Sequence, residues 1–499
     1  MKIKDWSRLH PYQSAARLIF LFFVIALGGG LFAFLVWGPL NAPLWLVVLA
    51  GLIGGSLHAL LWIRQMVLSI HGKKQAARRW KYALVSTGIA IMLGMAALML
   101  IPLYQMGYFP PASSDRVTNF ERLWRAVDLA YPYFEQKEVN WQGVHDRYLP
   151  RIQSASSSQE YFQAISEMLA ELKDGHTNLQ NPYIGASCCF GTTRQIEGQP
   201  VVVSPGKFAR QAGIKPGAVL ITVNGQPAVD LVGTYRSPRG ASSAQQAQYL
   251  AFLHLLDIPE SLVLPVTFQN PGAQPQDVQL VYVQEKYDTG PRPSVTWEKL
   301  PSGIGRINLT RFWTEDDDVA ADFGHALDEL MDTPGIIIDV RENGGGDSRL
   351  ADAIAGRFLE HTFVYGTEVH RLRLPMFGFK QQFDYLVKPV GPRYTGKLAV
   401  LIDVGCASTT EQFILALSES GRARTFGRTT AGTSGNPIIF QLPEGGAARF
   451  STGAFYRLDG TLLEGKGIEP DVPVRWTISD VSEERDPDLL AAEAWLMGR

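Results

Sequence analysis

From about residue 294 onward, short apolar runs alternate with helix-like patterns, and this constrains the fold more than any other feature of the chain. "GIIIDVREN" and "KLAVLIDV" are apolar at consecutive positions rather than every second one, the mark of strands buried on both faces. "GIGRINLTRF" and "GIIIDVREN" bracket the helical "DVAADFGHALDELM", and "KLAVLIDV" runs through a small-residue turn into a further helical pattern. Strand, helix and strand in this order predict βαβ units and a parallel sheet, here assigned to residues 286–499.

Upstream, the pattern changes twice. Residues 186–285 carry short β-runs punctuated by turns, as in "QPVVVS" and "ARQAGIKPGAVLITVNGQPA", and predict a compact β-rich module. Residues 112–185 are helical by spacing: Phe120, Leu123, Trp124, Val127 and Tyr131 recur at three- and four-residue steps, as do Phe162, Ile165, Met168, Leu169 and Leu172. A Pro- and Ser-containing linker, "GYFPPASSD", precedes this segment.

Residues 1–111 differ again. Three apolar runs, at about 18–37, 42–63 and 82–104, each have the length a helix needs to cross a bilayer and contain no acidic residue. Lys2, Lys4, Arg8 and Arg17 precede the first run, and Arg64, Lys73, Lys74, Arg78, Arg79 and Lys81 lie between the second and third. The positive-inside rule therefore predicts a multi-pass protein of the inner or plasma membrane. Its amino terminus is cytoplasmic, its later domains are periplasmic or extracellular, and the lipid bilayer is a partner. With 46 Lys and Arg against 48 Asp and Glu, bulk charge gives no reason to expect nucleic-acid binding. Cys188, Cys189 and Cys406 form neither a disulfide framework nor a metal-ligand spacing.

Four separated stretches carry chemistry. In "GCASTTEQF" a small-residue turn between a buried strand and a helix exposes Ser408, a position that suits a nucleophilic hydroxyl if another group takes its proton. Cys406, two residues earlier, is the rival nucleophile, and the turn geometry favours the serine. "KDGHTNL" holds His176, either a base or a structural hydrogen-bonding residue. "IIIDVRENGGGD" opens a strand into Gly344, Gly345 and Gly346, which suits an oxyanion hole, an anion site or a plain turn. "LDGTLLEGKGIEPDVPV" contains Glu464, by itself an ordinary surface carboxylate.

In this order, the stretches "DGHT", "DVRENGGG", "CASTTEQF" and "EGKGIEPD" resemble the carboxyl-terminal processing, or tail-specific, serine peptidases and their tricorn-type branch. "QAGIKPGAVLITVNGQ" resembles the centre of a PDZ domain, with "CCFGTTRQI" as the peptide-binding loop and strand and "SSAQQAQYLAFLHLL" as the groove helix. The fold class implied is an α+β multidomain chain: a membrane domain with three transmembrane helices (1–111), the helical N-terminal part of the peptidase (112–185), a PDZ-like domain (186–285) and an α/β catalytic domain of the ClpP/crotonase type (286–499).

The resemblance implies a membrane-anchored serine endopeptidase with Ser408 as nucleophile, His176 as base and Glu464 orienting the imidazole directly or through an intervening group. The backbone amides of Thr409 and Gly344 would form the oxyanion hole. No cofactor or metal is implied, and the partner is a protein or peptide substrate. Glu411 is the acid that opens the helix after the serine. The sequence departs from the Ser/Lys members of the family: in "GRTTAGTSG" Thr433 occupies the lysine's place, and Lys466, the imaginable stand-in, lies in a different turn. Gly175 replaces the second serine that the tricorn-type branch carries beside its histidine. The alternative is a catalytically inactive peptide- or ligand-binding scaffold on the membrane; substrate and oligomeric state are left open.

Overall fold

The computed structural model describes residues 114–180, 190–235, 240–257, 261–283, 293–314, 318–373 and 378–498. Residues 110–371 and 380–499 form one compact unit; the other, 1–109 with 372–379, falls almost entirely outside the described residues.

A six-stranded sheet organises the larger unit, in the order Val472–Pro473, Arg424–Gly427, Lys397–Ile402, Gly335–Asp339, Gly305–Leu309 and Val295–Lys299. Its pairings are parallel except for the antiparallel edge strand Val295–Lys299. The unbroken apolar runs are the two central strands, and every residue of Gly335–Asp339 is buried. Side chains alternate between two cores. Ile336, Ile338, Val400 and Ile402 pack with Phe323, Leu327, Ile354 and Leu415 of the helices Val319–Glu329, Ser348–Ala355 and Thr409–Ser418. Ile337, Ala399 and Leu401 point the other way, onto Ala492 and Leu496 of the helix Pro487–Leu496. A sheet covered on both faces has no polar face, which explains why a period of two is missing from these strands.

The segment before the sheet folds into the helices Arg116–Ala130, Trp141–Ser154 and Ser158–Ala170. Asp115, Asn140 and Ser157 cap them by accepting the amides of Thr118, Gly143 and Glu160. Between this bundle and the sheet the chain forms a β-rich module. Its antiparallel strands run in the order Gly191–Ile196, Gln199–Pro205, Ala218–Val223, Val263–Gln269 and Gln276–Val281 around Val202, Leu220, Phe252, Val266 and Phe268. Asn224 and Gly225, both at positive φ, make the turn expected from "VNGQ".

The expected fold class needs correction. The described chain is a mixed α/β fold built on a largely parallel sheet rather than an α+β one, and among the described residues no helix is long and apolar enough to cross a membrane. The longest described helix, Arg116–Ala130, has 15 residues, about 22 Å at 1.5 Å per residue, and it buries only one side against its neighbours. The three apolar runs and the expected membrane domain lie outside the described residues.

Candidate active site

Beyond the strand Lys397–Ile402 the chain turns through residues 403–408 before entering the helix Thr409–Ser418. Cys406 is fully buried and donates to the Val340 carbonyl at 3.1 Å. Burial and nearby carboxylates push its thiol well up, so it stays protonated and is not the nucleophile. Ser408 lies at φ 60° and ψ −125°, a conformation that costs a non-glycine residue energy and is kept only where the surroundings enforce it.

Those surroundings are backbone hydrogen bonds. Ser408 N–H donates to the Thr433 carbonyl at 2.9 Å and to Glu411 Oε2 at 3.2 Å. Glu411 is fully buried and also accepts the amides of Gly432 at 2.8 Å and Thr433 at 2.9 Å, together with the Thr430 hydroxyl. Burial raises its carboxyl to about 7 against the pull of these donors. Thr409 is the first residue of the helix, where the intrahelical pattern leaves the amide unused.

The glycine loop packs directly on this turn. Asn343 is buried; its amide donates to the Leu309 carbonyl at 3.0 Å, and its Oδ1 accepts Gly345 N–H at 2.9 Å and the Thr410 hydroxyl at 2.8 Å. Gly345 has φ 103°, and a Cβ built on it would stand 2.9 Å from Ser408 Cβ and 3.0 Å from Thr409 N. At Gly344 a Cβ would meet nothing within 4 Å, so this residue borders open space. Gly345 is thus the glycine that touches the serine, and Gly344 is the one beside room for a ligand.

His176 lies in a turn made by Asp174, which accepts His176 N–H at 2.9 Å and the Thr177 hydroxyl at 2.9 Å. The imidazole is buried, hydrogen-bonds the Ser434 backbone, and leaves Nδ1 without a partner. Burial lowers its pKa to about 4; Asp174 opposes this, while Arg449 and Lys137 add to it. A Cβ at Gly175 would lie 3.0 Å from Thr433 Cγ2, which places the turn against the segment that holds Ser408. Among the described residues no hydrogen bond joins Ser408 to His176; the two meet through Thr433 and Ser434.

Glu464 is buried and does not bond the imidazole. Its Oε2 accepts Ser434 N–H at 2.8 Å and its Oε1 accepts Lys137 Nζ at 2.5 Å. Burial and Asp174 push its carboxyl up to about 8, against the downward pull of Lys137. Lys466 is exposed, whereas Thr433, in the lysine's expected place, is buried with Oγ1 unpartnered.

Sequence reasoning missed Lys137, Tyr133 and Ser434. The Tyr133 hydroxyl donates to the carbonyls of Ser434 at 3.0 Å and Gly453 at 2.8 Å. Nothing in "YPYFEQKEVN" marks Tyr133 and Lys137 as site residues, but Asp174 was findable, because an aspartate two residues before a histidine commonly closes a turn on its amide. Among the described residues no group of His, Cys, Asp and Glu is placed to hold a metal ion.

A strained serine at a strand-to-helix turn, a glycine loop packed on it and a buried histidine one segment away lie together here, and the comparisons show a serine-type peptidase. Residues 303–474 match the sequence model of peptidase family S41 and residues 113–170 that of the Tricorn protease C1 domain. It is 25% identical over 382 residues to a carboxyl-terminal-processing protease of Synechocystis sp., covering 73% of this chain and 82% of the relative. To the carboxy-terminal processing protease CtpA of Bacillus subtilis it is 25% identical over 372 residues, 72% of this chain and 70% of the relative. Mature CPAF shares the fold, with a TM-score of 0.62 at 15% identity over 77% of this chain and 95% of that one.

Proposed function

We propose that the protein hydrolyses peptide bonds in protein substrates by a Ser-His-Glu mechanism. The observation that carries this reading is the convergence of Ser408, His176 and Glu464 on one two-residue segment, Thr433–Ser434. Ser408 Oγ attacks the peptide carbonyl, and the His176 ring, neutral because burial lowers its pKa to about 4, takes the proton and delivers it to the leaving amine. Substrate binding brings the ring into reach of Oγ, since such contacts are commonly long in the free enzyme. Glu464 acts through the Ser434 peptide rather than by touching the imidazole. The amides of Thr409 and Gly344 receive the oxyanion, a role supported by the helix start at Thr409 and the open space at Gly344. Replacement of the lysine by Thr433, with Lys466 exposed, argues against a Ser/Lys dyad.

The β-rich module is proposed to act as a PDZ domain that captures a peptide or carboxyl-terminal segment by strand addition along its terminal strand Gly191–Ile196, beside the helix Ala244–Leu253. The proposed location is the outer face of the inner or plasma membrane. It rests on the charges of residues 1–111 and is tested by fractionation and protease accessibility in intact cells. The mechanism is tested by a fluorophosphonate probe on the full chain. Labelling confined to Ser408 and lost in Ser408→Ala and His176→Ala supports it; folded wild-type protein that stays unlabelled while still binding peptides points to the inactive scaffold.

A further inference from the structure

The turn after the helix Arg116–Ala130 reaches the site with two side chains. Lys137 N–H donates to the Tyr133 carbonyl at 3.0 Å, and the Lys137 ammonium lies 5.4 Å from the centre of the Tyr133 ring, so both residues are presented to the same place. The Tyr133 hydroxyl holds the Ser434 carbonyl, and Lys137 Nζ holds Glu464 Oε1, whose other oxygen holds the Ser434 amide. Lys137 Nζ also donates to the Lys173 carbonyl at 2.5 Å, three residues before His176. The ammonium therefore ties the turn that carries the histidine to the carboxylate that holds the histidine's backbone partner. The pair is closed to water, with side chains 9% and 1% exposed.

Charge explains why a cation is needed there. Glu464 and Asp174 are both buried and act on one another, and the groups facing them are Lys137, Arg449, His176, Tyr131 and Tyr133. Burial and Asp174 both raise the Glu464 carboxyl, and Lys137 opposes them. Removing Lys137 would raise that carboxyl further and free Oε1 from its anchor, loosening the group that accepts the Ser434 amide.

We propose that Lys137 is a positioning residue of the peptidase site: its ammonium holds Glu464 so that the Ser434 peptide, and through it the His176 ring, is fixed for proton transfer. This rests on the Ser-His-Glu reading above. It gives the helical segment before the sheet a part in catalysis, although none of its residues touches the reacting atoms.

The test is the rate of fluorophosphonate labelling of Ser408 against pH in the full-length wild type, Lys137→Met, Lys137→Gln and Lys137→Arg. Misplacing a reacting group by about 1 Å costs on the order of a hundredfold, so labelling of Lys137→Met should fall at least about tenfold. Because the positive charge of Lys137 helps to keep the imidazole neutral, its removal raises the histidine's proton affinity, and the acid limb of the profile moves to higher pH. Lys137→Gln keeps donors for the Lys173 carbonyl and Glu464 while losing the charge, so it should fold and show the same displacement even if Lys137→Met does not fold. Lys137→Arg should recover most of the rate with the wild-type limb. A lower melting temperature in Lys137→Gln with an unchanged limb and an unchanged rate in the folded fraction would overturn the proposal. An unlabelled wild type would instead remove the underlying mechanism.

Discussion

The two halves of the candidate site are built differently. Ser408 is held by its own neighbourhood in the chain: the turn after a buried strand, the start of a helix, Glu411 three residues on, and the backbone of 432–433. His176 is held by the neighbouring Asp174 and by groups far away in sequence, the Ser434 backbone and the Lys137–Glu464 pair behind it. Backbone geometry fixes Ser408 and buried charge fixes His176. The first half should therefore fail by steric change and the second by changes in charge and pH.

Ser408→Ala should have the largest effect: peptidase activity falls by about 10⁴-fold or more, as for loss of a nucleophile in comparable triads, while the fold is kept. Steady-state cleavage with a circular-dichroism control checks it. Gly345→Ala comes next, because a methyl at φ 103° would meet Ser408 Cβ at 2.9 Å. The strain is about 1–3 kcal/mol, read as a lower unfolding midpoint together with loss of labelling. Gly344→Ala, with nothing within 4 Å, should leave the midpoint unchanged, and an equal loss of stability in both variants would break the steric account of the serine side.

The charge side is sharpened by pH. The base must be neutral to act, and the imidazole is pushed down to about 4, so labelling should persist down to about pH 5 and fall through pH 4. A limb at the ordinary histidine value near 6.5 would show that the imidazole is solvated before reaction. The smallest effect concerns Glu411, raised from 4.5 to about 7. Its folded form binds the proton more tightly than its unfolded form. The stability it contributes is fully present below about pH 4.5 and is lost as pH rises through about 7. Urea unfolding at several pH values should therefore show wild type losing stability relative to Glu411→Gln as pH rises across that window.

The same contrast governs what could be read from the sequence. The buried strands, the Ser408 turn and the glycine loop were legible because each is a local pattern: consecutive apolar residues, small residues before a helix, glycines after a strand. The choice between Gly344 and Gly345 as the residue beside the serine was not, since it depends on which Cα faces the turn across the fold. The partner of Glu464 was illegible for a further reason. Lys137 is 327 residues away in the chain and sits in a segment that looks like a solvated charge run.

Sequence by itself determined the parallel core and the strand-to-helix turn at Ser408, because strand burial and turn chemistry are written within a dozen residues. Only the tertiary structure decided that Glu464 is buried against a lysine and reaches His176 through a peptide group. Burial and charge pairing are properties of the packed chain, set by residues that no spacing rule connects.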